Sequence, residues 1–170
     1  GQNQLPTLAP QLEWVSQETP ESHTCLSDVI GQYQAKQALE IAAAGNHNLL
    51  MLGPPGTGKT MLASRMMALL PALNYEEALE VAAIHSVAGL DIKPQHFLQR
   101  PFRAPHHTSS SISLVGGGSI PKPGEISLAH RGVFFLGEVA EFPRKVLDCL
   151  REPMETGEVV ISRAAAKLTF

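Results

Sequence analysis

The sequence predicts an α/β fold with a parallel β-sheet, and four segments lead to this class. Residues 48–52 (Asn-Leu-Leu-Met-Leu) form the kind of short apolar run that makes a buried parallel strand. A glycine-rich loop follows at 53–60, and residues 61–70 show the apolar spacing of a helix that Pro71 stops. A second apolar run at 133–136 predicts another buried strand.

The glycine-rich loop matches the phosphate-binding motif G-x-x-x-x-G-K-[ST] at every fixed position. Its glycines let backbone N–H groups turn inward around phosphate oxygens, and the N-terminus of the following helix adds a partial positive charge. Lys59 is expected to reach the β- and γ-phosphates, and the Thr60 hydroxyl is expected to bind Mg²⁺. ATP and Mg²⁺ are therefore the expected cofactors. The predicted nucleotide-binding residues are Gly53, Pro54, Pro55, Gly56, Thr57, Gly58, Lys59, Thr60 and Met61.

The N-terminal segment has a different composition from the rest of the chain. Residues 1–26 are rich in Pro, Gln, Glu, Ser and Thr and lack hydrophobic periodicity, which predicts a linker. Trp14 is the candidate for docking this linker on the body. Ser27 and Asp28 are good N-cap residues, so a helix is expected to follow them and to end at Gly45.

The middle of the chain alternates between clear helix signals and loop-like sequence. Residues 74–77 (Asn-Tyr-Glu-Glu) resemble a capping box and predict a helix to about Ala88. Residues 89–132 contain five prolines among Gly, Ser and His, and a long segment of this kind is typical of a functional region or of disorder. Within it, residues 100–107 predict a short edge strand and residues 109–115 a short helix.

The remaining elements are predicted from turn residues and apolar spacing. Residues 116–124 (Gly-Gly-Gly-Ser-Ile-Pro-Lys-Pro-Gly) predict a protruding turn. A helix is expected from Pro143 to about Arg151, ahead of Pro153. Residues 158–170 predict a β-hairpin.

Composition excludes several classes of protein. A chain of 170 residues is large enough for one domain with a tail, and 44% hydrophobic with 17% charged residues is globular rather than disordered. The sequence has no run of eighteen apolar residues and no signal peptide at its polar start, so we expect no membrane span and a cytoplasmic location. Cys25 and Cys149 lack metal or redox spacing, so both are expected to be free thiols packed in the core.

The charge is unevenly distributed along the chain. Residues 1–85 carry three basic and eight acidic residues, whereas residues 86–170 carry ten and eight. The first half is therefore net negative and the second half net positive, within a total of −3. This asymmetry favours a polyanion-facing side in the second half, and a solvated surface of mixed charge is the alternative explanation.

A second motif of the ATPase site, a pair of acidic residues, is expected at the end of the strand at 133–136. In P-loop ATPases such a strand commonly ends in two acids, of which the first helps to hold Mg²⁺ and the second polarises the attacking water. Here Gly137 takes the first position and Glu138 the second. We predict Glu138 and Lys59 as the catalytic residues, and an exposed strand-end acid is the alternative for Glu138.

These motifs lie within longer stretches that resemble the ComM/YifB family, the magnesium-chelatase-like AAA+ ATPases. The stretches are 28–32, 38–45, 53–60, 100–108, 116–138 and 157–163. The resemblance implies a three-layer αβα P-loop NTPase (AAA+) core at 27–170, truncated before the sensor strand. It carries a helix-2 insert at about 109–130 and the hairpin at about 158–170. It also implies that residues 1–26 connect to an N-terminal Lon-protease-like domain.

The same resemblance implies partners. Members of the family are expected to form a bacterial homo-hexameric ring with nucleotide at the subunit interfaces and single-stranded or branched DNA in the pore. ComM-like members are similar to branch-migration helicases used in natural transformation. The insert around 116–126 and the hairpin around Arg163 would face the pore, so Lys122, Arg163 and Lys167 are the candidate DNA-phosphate contacts. Ordinary exposed basic residues are the alternative.

Two departures from the family pattern bear on activity. Members carry Asp-Glu where this chain has Gly137-Glu138, and the chain ends at Phe170, before the sensor strand, the arginine finger and the helical lid. We therefore expect impaired hydrolysis and a sheet whose gap is either filled by another strand or left marginally stable. The alternatives are a chelatase-type subunit for metal insertion into tetrapyrroles, a module that binds nucleotide without turnover, and a fragment without independent function.

The histidines are a weaker signal. His96, His106, His107 and His130 could suggest a zinc site. Adjacent histidines in a strand point to opposite faces, however, and no cysteine is nearby, so we expect structural hydrogen bonds rather than metal ligation.

Overall fold

The computed structural model describes residues 25–118, 121–163 and 166–169, with the backbone alone at 161–163 and 166–168. Trp14 and nearly all of the predicted linker lie outside the described residues. Leu26, the last residue assigned to the linker, is buried. In the described ranges, no helix has both the length and the apolar character needed to cross a membrane.

The described chain forms six helices and six short strands. The helices are α1 (Tyr33–Gly45), α2 (Lys59–Leu69), α3 (Tyr75–Ala88), α4 (Ser111–Val115), α5 (Glu125–Leu128) and α6 (Arg144–Thr156). The strands are β1 (Phe102–Arg103), β2 (Gly116–Gly117), β3 (Lys122–Pro123), β4 (Val133–Phe134), β5 (Val160–Arg163) and β6 (Ala166–Thr169). Single 3₁₀ turns lie at Leu26–Asp28, Pro94–His96 and Val139–Glu141.

A parallel pair, β1 and β4, links two segments that are distant in sequence. Phe102 lies opposite Val133, and Arg103 lies opposite Phe134. The Phe135 N–H continues the pairing by donating to the Arg103 carbonyl at 2.8 Å. Both segments were predicted as strands, and each forms one that is shorter than expected. The fold class is therefore α/β with a small parallel sheet.

The strand predicted at 48–52 is wrong for this structure. Its backbone is irregular, and the side chains of Leu50 and Leu52 are 69% and 87% exposed. A strand exists through backbone pairing with a neighbour, and no segment of the described chain pairs with this one. Strand β6 pairs with β5, so it does not fill the expected gap beside β4.

The first helix begins later than predicted. Ser27 and Asp28 lie in a 3₁₀ turn and do not cap α1. Gly31 and Gln32 follow with φ angles of 70° and 53°. Because a right-handed helix cannot continue through successive left-handed residues, α1 begins only at Tyr33.

The capping box of α3 is confirmed. The Glu77 N–H donates to Asn74 Oδ1 at 2.9 Å, and the Asn74 N–H donates to Glu77 Oε2 at 3.0 Å. The helix ends at Ala88, before Gly89 with a φ of 81°. Both ends of this helix are therefore fixed by interactions that are local in sequence.

The last helix is longer than predicted, since α6 continues through Pro153 to Thr156. Proline supplies no N–H to the preceding turn. The residues around it are held by an Arg151–Glu155 ion pair at 2.9 Å and by the Thr156 hydroxyl, which donates to the Glu152 carbonyl at 2.9 Å. These contacts stabilise the final turn that the proline was expected to prevent.

The predicted turn at 116–124 and the predicted hairpin at 158–170 both contain antiparallel strand pairs. Strands β2 and β3 place Gly116 opposite Pro123, and Pro123 and Gly124 are buried, so the second arm of the insert packs on the body. The tip of the predicted protruding turn, at 119–120, lies outside the described residues. Strands β5 and β6 confirm the hairpin, with Ile161 opposite Leu168.

Within the described residues, most of the large buried apolar side chains lie in three clusters. The first contains Leu26, Val29, Leu39 and Leu62 and includes the P-loop helix α2. The second contains Leu73, Ala78 and Val81 on and before α3. The third contains Leu114, Phe142 and Val146, with Phe134 and Leu136 packed against it. The P-loop and the strand β4 are thus supported by different clusters.

The contact between Gly132 and the neighbouring chain segment gives a test of the parallel pair. A Cβ at Gly132 would overlap the Pro101 carbonyl oxygen, which accepts the Val133 N–H at 2.9 Å. We expect Gly132→Ala to lower the free energy of unfolding by about 1–3 kcal/mol in urea titration, because the two strands must move apart. Gly137→Ala is the control, since its added Cβ would lie 3.4 Å from the nearest Phe135 carbon. Equal stability of the two variants would contradict this account of the pairing.

Candidate functional site

The P-loop adopts a compact turn that is fixed by its own residues. Gly56 and Gly58 have φ angles of 79° and 83°, a region that favours glycine. The Thr57 hydroxyl donates to the Pro54 carbonyl at 2.9 Å and holds the turn closed. Pro54, Pro55 and Gly56 are exposed, so the outer rim of the loop faces solvent.

Helix α2 starts directly at the end of this turn. Its N-cap, Gly58, has no side chain to accept a hydrogen bond, and the first intrahelical bond runs from Leu62 N–H to the Gly58 carbonyl at 2.9 Å. Helix geometry therefore leaves the N–H groups of Lys59, Thr60 and Met61 without intrahelical acceptors. Together with the helix dipole, these donors make the loop chemically suited to phosphate oxygens.

Lys59 lies across the loop. Its ammonium donates to the carbonyls of Gly53 and Pro54, at 2.9 Å each. The side chain therefore reaches back over the glycine-rich turn and places the positive charge near the loop carbonyls. Thr60 and Met61 are exposed at the start of α2, so the Thr60 hydroxyl is open to solvent.

Gln32 is a P-loop contact that the sequence analysis did not single out. Its Nε2 donates to the Thr57 carbonyl at 3.4 Å. The residue has a left-handed backbone with a φ of 53°, which directs its side chain from the start of α1 towards the loop. Gln32 lies within the stretch 28–32 that resembles the family, and this resemblance was the feature of the sequence that could have identified it.

Glu138 lies at the carboxyl edge of the parallel pair. It is four residues beyond Phe134, and His107 is four residues beyond Arg103, the partner of Phe134. Because both strands run in the same direction, the segments after them emerge at the same edge. The result is a separation of 3.8 Å between His107 Nδ1 and Glu138 Oε2.

The described hydrogen bonds and ion pairs do not connect the P-loop with Glu138. Each of the two predicted catalytic residues makes its contacts within its own half: Lys59 with loop carbonyls, and Glu138 with His107. Segment 48–52, which leads into the P-loop, pairs with no strand of the described chain, so no sheet pairing links the P-loop to β4.

The candidate DNA contacts lie on the two hairpins. Lys122 is exposed on β3. Arg163 and Lys167 lie on β5 and β6, opposite Ala166 and Ser162, and their side chains are outside the described part of the chain.

Charged contacts anchor the end of the insert to α3. Glu80 accepts hydrogen bonds from Arg131 Nε and pairs with His130 Nε2, both at 2.9 Å. The hydrogen bond from Arg131 is the main cause that lowers the pKa of Glu80 to about 2, followed by that from His130. Glu80 is therefore ionised at neutral pH and holds the chain before β4 in position.

A bidentate pair fixes β1 against α5. Arg103 Nε and Nη2 donate to the two Glu125 oxygens at 2.6 and 2.7 Å. These hydrogen bonds raise the pKa of Arg103 above its usual value. Since Arg103 is also a paired residue of β1, the ion pair helps to set the position from which residues 104–107 leave the strand.

The histidines mostly make the structural hydrogen bonds that were predicted. His96 Nδ1 is 2.8 Å from Gln99 Oε1, and His106 Nδ1 is 2.9 Å from Thr108 Oγ1. The two adjacent histidines do not lie in a strand, and their rings lie together with centroids 4.0 Å apart. His107 differs from the others because it contacts two carboxylates, Glu138 and Glu141.

The cysteines are free, as predicted. The prediction that Cys25 packs in the core is wrong, because Cys25 is exposed. Hydrogen bonding to Ser27 lowers the pKa of its thiol.

One protein family matches most of the chain. The family described as magnesium chelatase, subunit ChlI, matches residues 25–170. The match therefore covers the P-loop, the parallel pair and the C-terminal hairpin in one continuous stretch.

Among individual relatives, two match most of the chain and a third matches a shorter part of it. The chain is 62% identical over 145 residues to competence protein ComM of Haemophilus influenzae, covering 85% of this chain and 28% of that protein. It is 58% identical over 152 residues to YifB of Salmonella typhimurium, covering 89% and 30%. An archaeal Lon protease of Thermococcus kodakarensis is 39% identical over 64 residues, or 38% of this chain and 10% of that protein. The chain thus spans less than a third of the length of these relatives.

Lys59 provides the test of the phosphate site. We expect Lys59→Ala to weaken ATP binding in titration calorimetry, because a charge-assisted contact to the phosphates is worth roughly 1.5–3 kcal/mol, or about tenfold to a hundredfold in affinity. Lys93→Ala removes an exposed lysine before the turn Pro94–His96 and is the control. Unchanged affinity in Lys59→Ala would overturn the P-loop assignment.

Proposed function

This chain belongs to the magnesium chelatase, subunit ChlI, family and within it to the ComM/YifB group, and we propose that it is the ATP-binding core of an AAA+ motor acting on DNA. The whole protein would work as a homo-hexameric ring that moves single-stranded or branched DNA, as in branch migration during natural transformation or recombination. The name of the Haemophilus influenzae relative, competence protein ComM, supports the transformation role.

The observation that carries the nucleotide part of this proposal is the junction of the P-loop with α2. Two left-handed glycines close the turn, and three N–H groups at the start of α2 lack intrahelical acceptors. Lys59 adds a cation that lies across the same turn. A triphosphate would satisfy these donors and this charge together.

Each residue then has a separate task. Lys59 would exchange its contacts with the Gly53 and Pro54 carbonyls for phosphate oxygens. The exposed Thr60 hydroxyl would hold Mg²⁺, which neutralises charge on the β- and γ-phosphates when it is bound. Glu138 would orient and polarise the attacking water, for which its exposed carboxylate is accessible.

The proposed DNA contacts depend on charge. Lys122 is exposed on the insert, and Arg163 and Lys167 lie on hairpin strands. Residues 86–170 carry ten basic and eight acidic residues, in contrast to the acidic first half. Contacts of this kind hold phosphates without reading sequence, which suits a motor that moves along DNA.

Two other functions are supported by specific observations. The family description favours a chelatase-type subunit that uses ATP to drive metal insertion into a tetrapyrrole. Gly137, at the place of the metal-holding acid, favours a module that binds nucleotide without turning it over.

ATPase assays on the full-length protein separate these functions. We expect ATP hydrolysis to rise several-fold on adding single-stranded or branched DNA, because a DNA motor couples ATP hydrolysis to movement along DNA. We expect Lys59→Ala to abolish hydrolysis, because it removes the cation that contacts the phosphates. Stimulation by a tetrapyrrole and Mg²⁺ but not by DNA would contradict the DNA motor and favour the chelatase. Binding of ATP with no hydrolysis under any condition would favour the binding module.

Gly137 gives a second, independent prediction. The site tolerates a side chain, since an added Cβ would lie 3.4 Å from the nearest Phe135 carbon. In the full-length protein, Gly137→Asp should raise kcat by at least about tenfold, about 1.4 kcal/mol of transition-state stabilisation, while ATP affinity changes little. Gly137→Asn is the control for size without charge. Equal rates for parent and Gly137→Asp at saturating Mg²⁺ would show that another carboxylate holds the metal.

A further inference from the structure

Three side chains from two segments, one following β1 and one following β4, converge at the carboxyl edge of the parallel pair. His107 Nδ1 lies 3.8 Å from Glu138 Oε2, and His107 Nε2 lies 3.7 Å from Glu141 Oε2. One ring nitrogen and one oxygen from each carboxylate lie within 4.8 Å of one another. We call this group the His107 cluster.

The backbone fixes the positions from which these side chains meet. The register of β1 and β4 brings His107 beside Glu138, and the 3₁₀ turn Val139–Glu141 returns the second carboxylate to the same ring. His106 packs against His107, with ring centroids 4.0 Å apart, while its own Nδ1 contacts Thr108 Oγ1. The His106 ring therefore supports the orientation of His107 and makes its own hydrogen bond to Thr108 rather than to Glu138 or Glu141.

The charge of the cluster favours a cation. In the part of the chain that the structure describes, the ion pairs of Glu138 and Glu141 involve His107 and no lysine or arginine. The two carboxylates supply negative charge that a divalent cation would balance. The side chains are 30%, 66% and 58% exposed for His107, Glu138 and Glu141, so an ion can enter from solvent and both carboxylates can reorient.

We propose that the His107 cluster binds a divalent transition-metal ion of the Zn²⁺ type. One imidazole nitrogen and two carboxylate oxygens are ligands that Zn²⁺ accepts at about 2.0–2.2 Å, with water in the fourth position. Ligand atoms around a tetrahedral ion of that size are about 3.3 Å apart. One ring nitrogen and one oxygen from each carboxylate already lie within 4.8 Å of one another, so coordination needs adjustments of at most about 1.5 Å at side chains that are exposed or half-buried.

The imidazole distinguishes this site from the Mg²⁺ site expected at the P-loop. Mg²⁺ prefers oxygen ligands, whereas imidazole nitrogen suits Zn²⁺ and its neighbours. An ion held by the His107 cluster would engage the carboxylate of Glu138 and prevent it from polarising water. That regulatory consequence rests on the proposed function, whereas binding of the ion does not.

Metal titration tests the site directly. In a Cys25→Ser, Cys149→Ser background, which removes both thiols as ligands, Zn²⁺ binding is measured by competition with a chromophoric chelator. We expect one ion per chain, and at least about tenfold weaker binding in His107→Ala and in Glu141→Gln, because each loses a ligand. His106→Phe is the matched control, since it keeps a ring against His107 but removes the neighbouring nitrogens, and its affinity should stay within about threefold.

The outcomes are distinct. Unchanged Zn²⁺ affinity in His107→Ala and Glu141→Gln, or equal weakening in His106→Phe, would overturn the site. Equal affinity of the cluster for Mg²⁺ and Zn²⁺ would contradict a site built on an imidazole nitrogen and would overturn it as well. Circular dichroism of the metal-free variants confirms that they are folded, and Glu141→Gln changes an exposed side chain, so the test does not depend on His107→Ala folding. ATP affinity measured on the same proteins separates failure of this site from failure of the P-loop.

Discussion

The parallel pairing of Phe102–Arg103 with Val133–Phe134 is the constraint on which the second half of the molecule depends. It connects segments about thirty residues apart and determines which side chains leave the sheet at the same edge. The Arg103–Glu125 ion pair and the Arg131–Glu80 hydrogen bonds hold the approaches to the two strands. Since residues at equal distances beyond paired positions emerge together, Glu138 meets His107 there and no other histidine.

The P-loop is supported in a different way. Its turn is closed by Thr57 on Pro54, its exit is set by the left-handed Gly58, and α2 packs through Leu62 into a cluster with Leu26 and Leu39. All these interactions lie within residues 25–70, so the turn and its exit into α2 are held without contacts to the parallel pair. The described contacts leave the groups proposed to bind nucleotide and to activate water on separately packed parts of the chain.

Glu138 has a role in both proposals, as the residue that polarises water and as a ligand of the His107 cluster. It has a left-handed backbone with a φ of 54° and a mostly exposed carboxylate, and it is followed directly by the 3₁₀ turn that carries Glu141. In a P-loop ATPase the preceding acid would hold Mg²⁺, but here Gly137 contributes no ligand. The same carboxylate is thus available to water, to the His107 imidazole and to a metal ion, and these uses exclude one another.

The sequence by itself determined the elements that depend on near neighbours. The P-loop turn, the capping box of Asn74 and Glu77 and the antiparallel pairing of β5 with β6 all result from contacts between residues that are close along the chain. Family membership was also readable from the sequence, because long stretches carry it. Only the tertiary structure decided what depends on distant partners. The apolar run 48–52 has strand composition but no strand, since a strand requires a paired neighbour, and His107 gained its two carboxylates through a register that its own sequence does not contain.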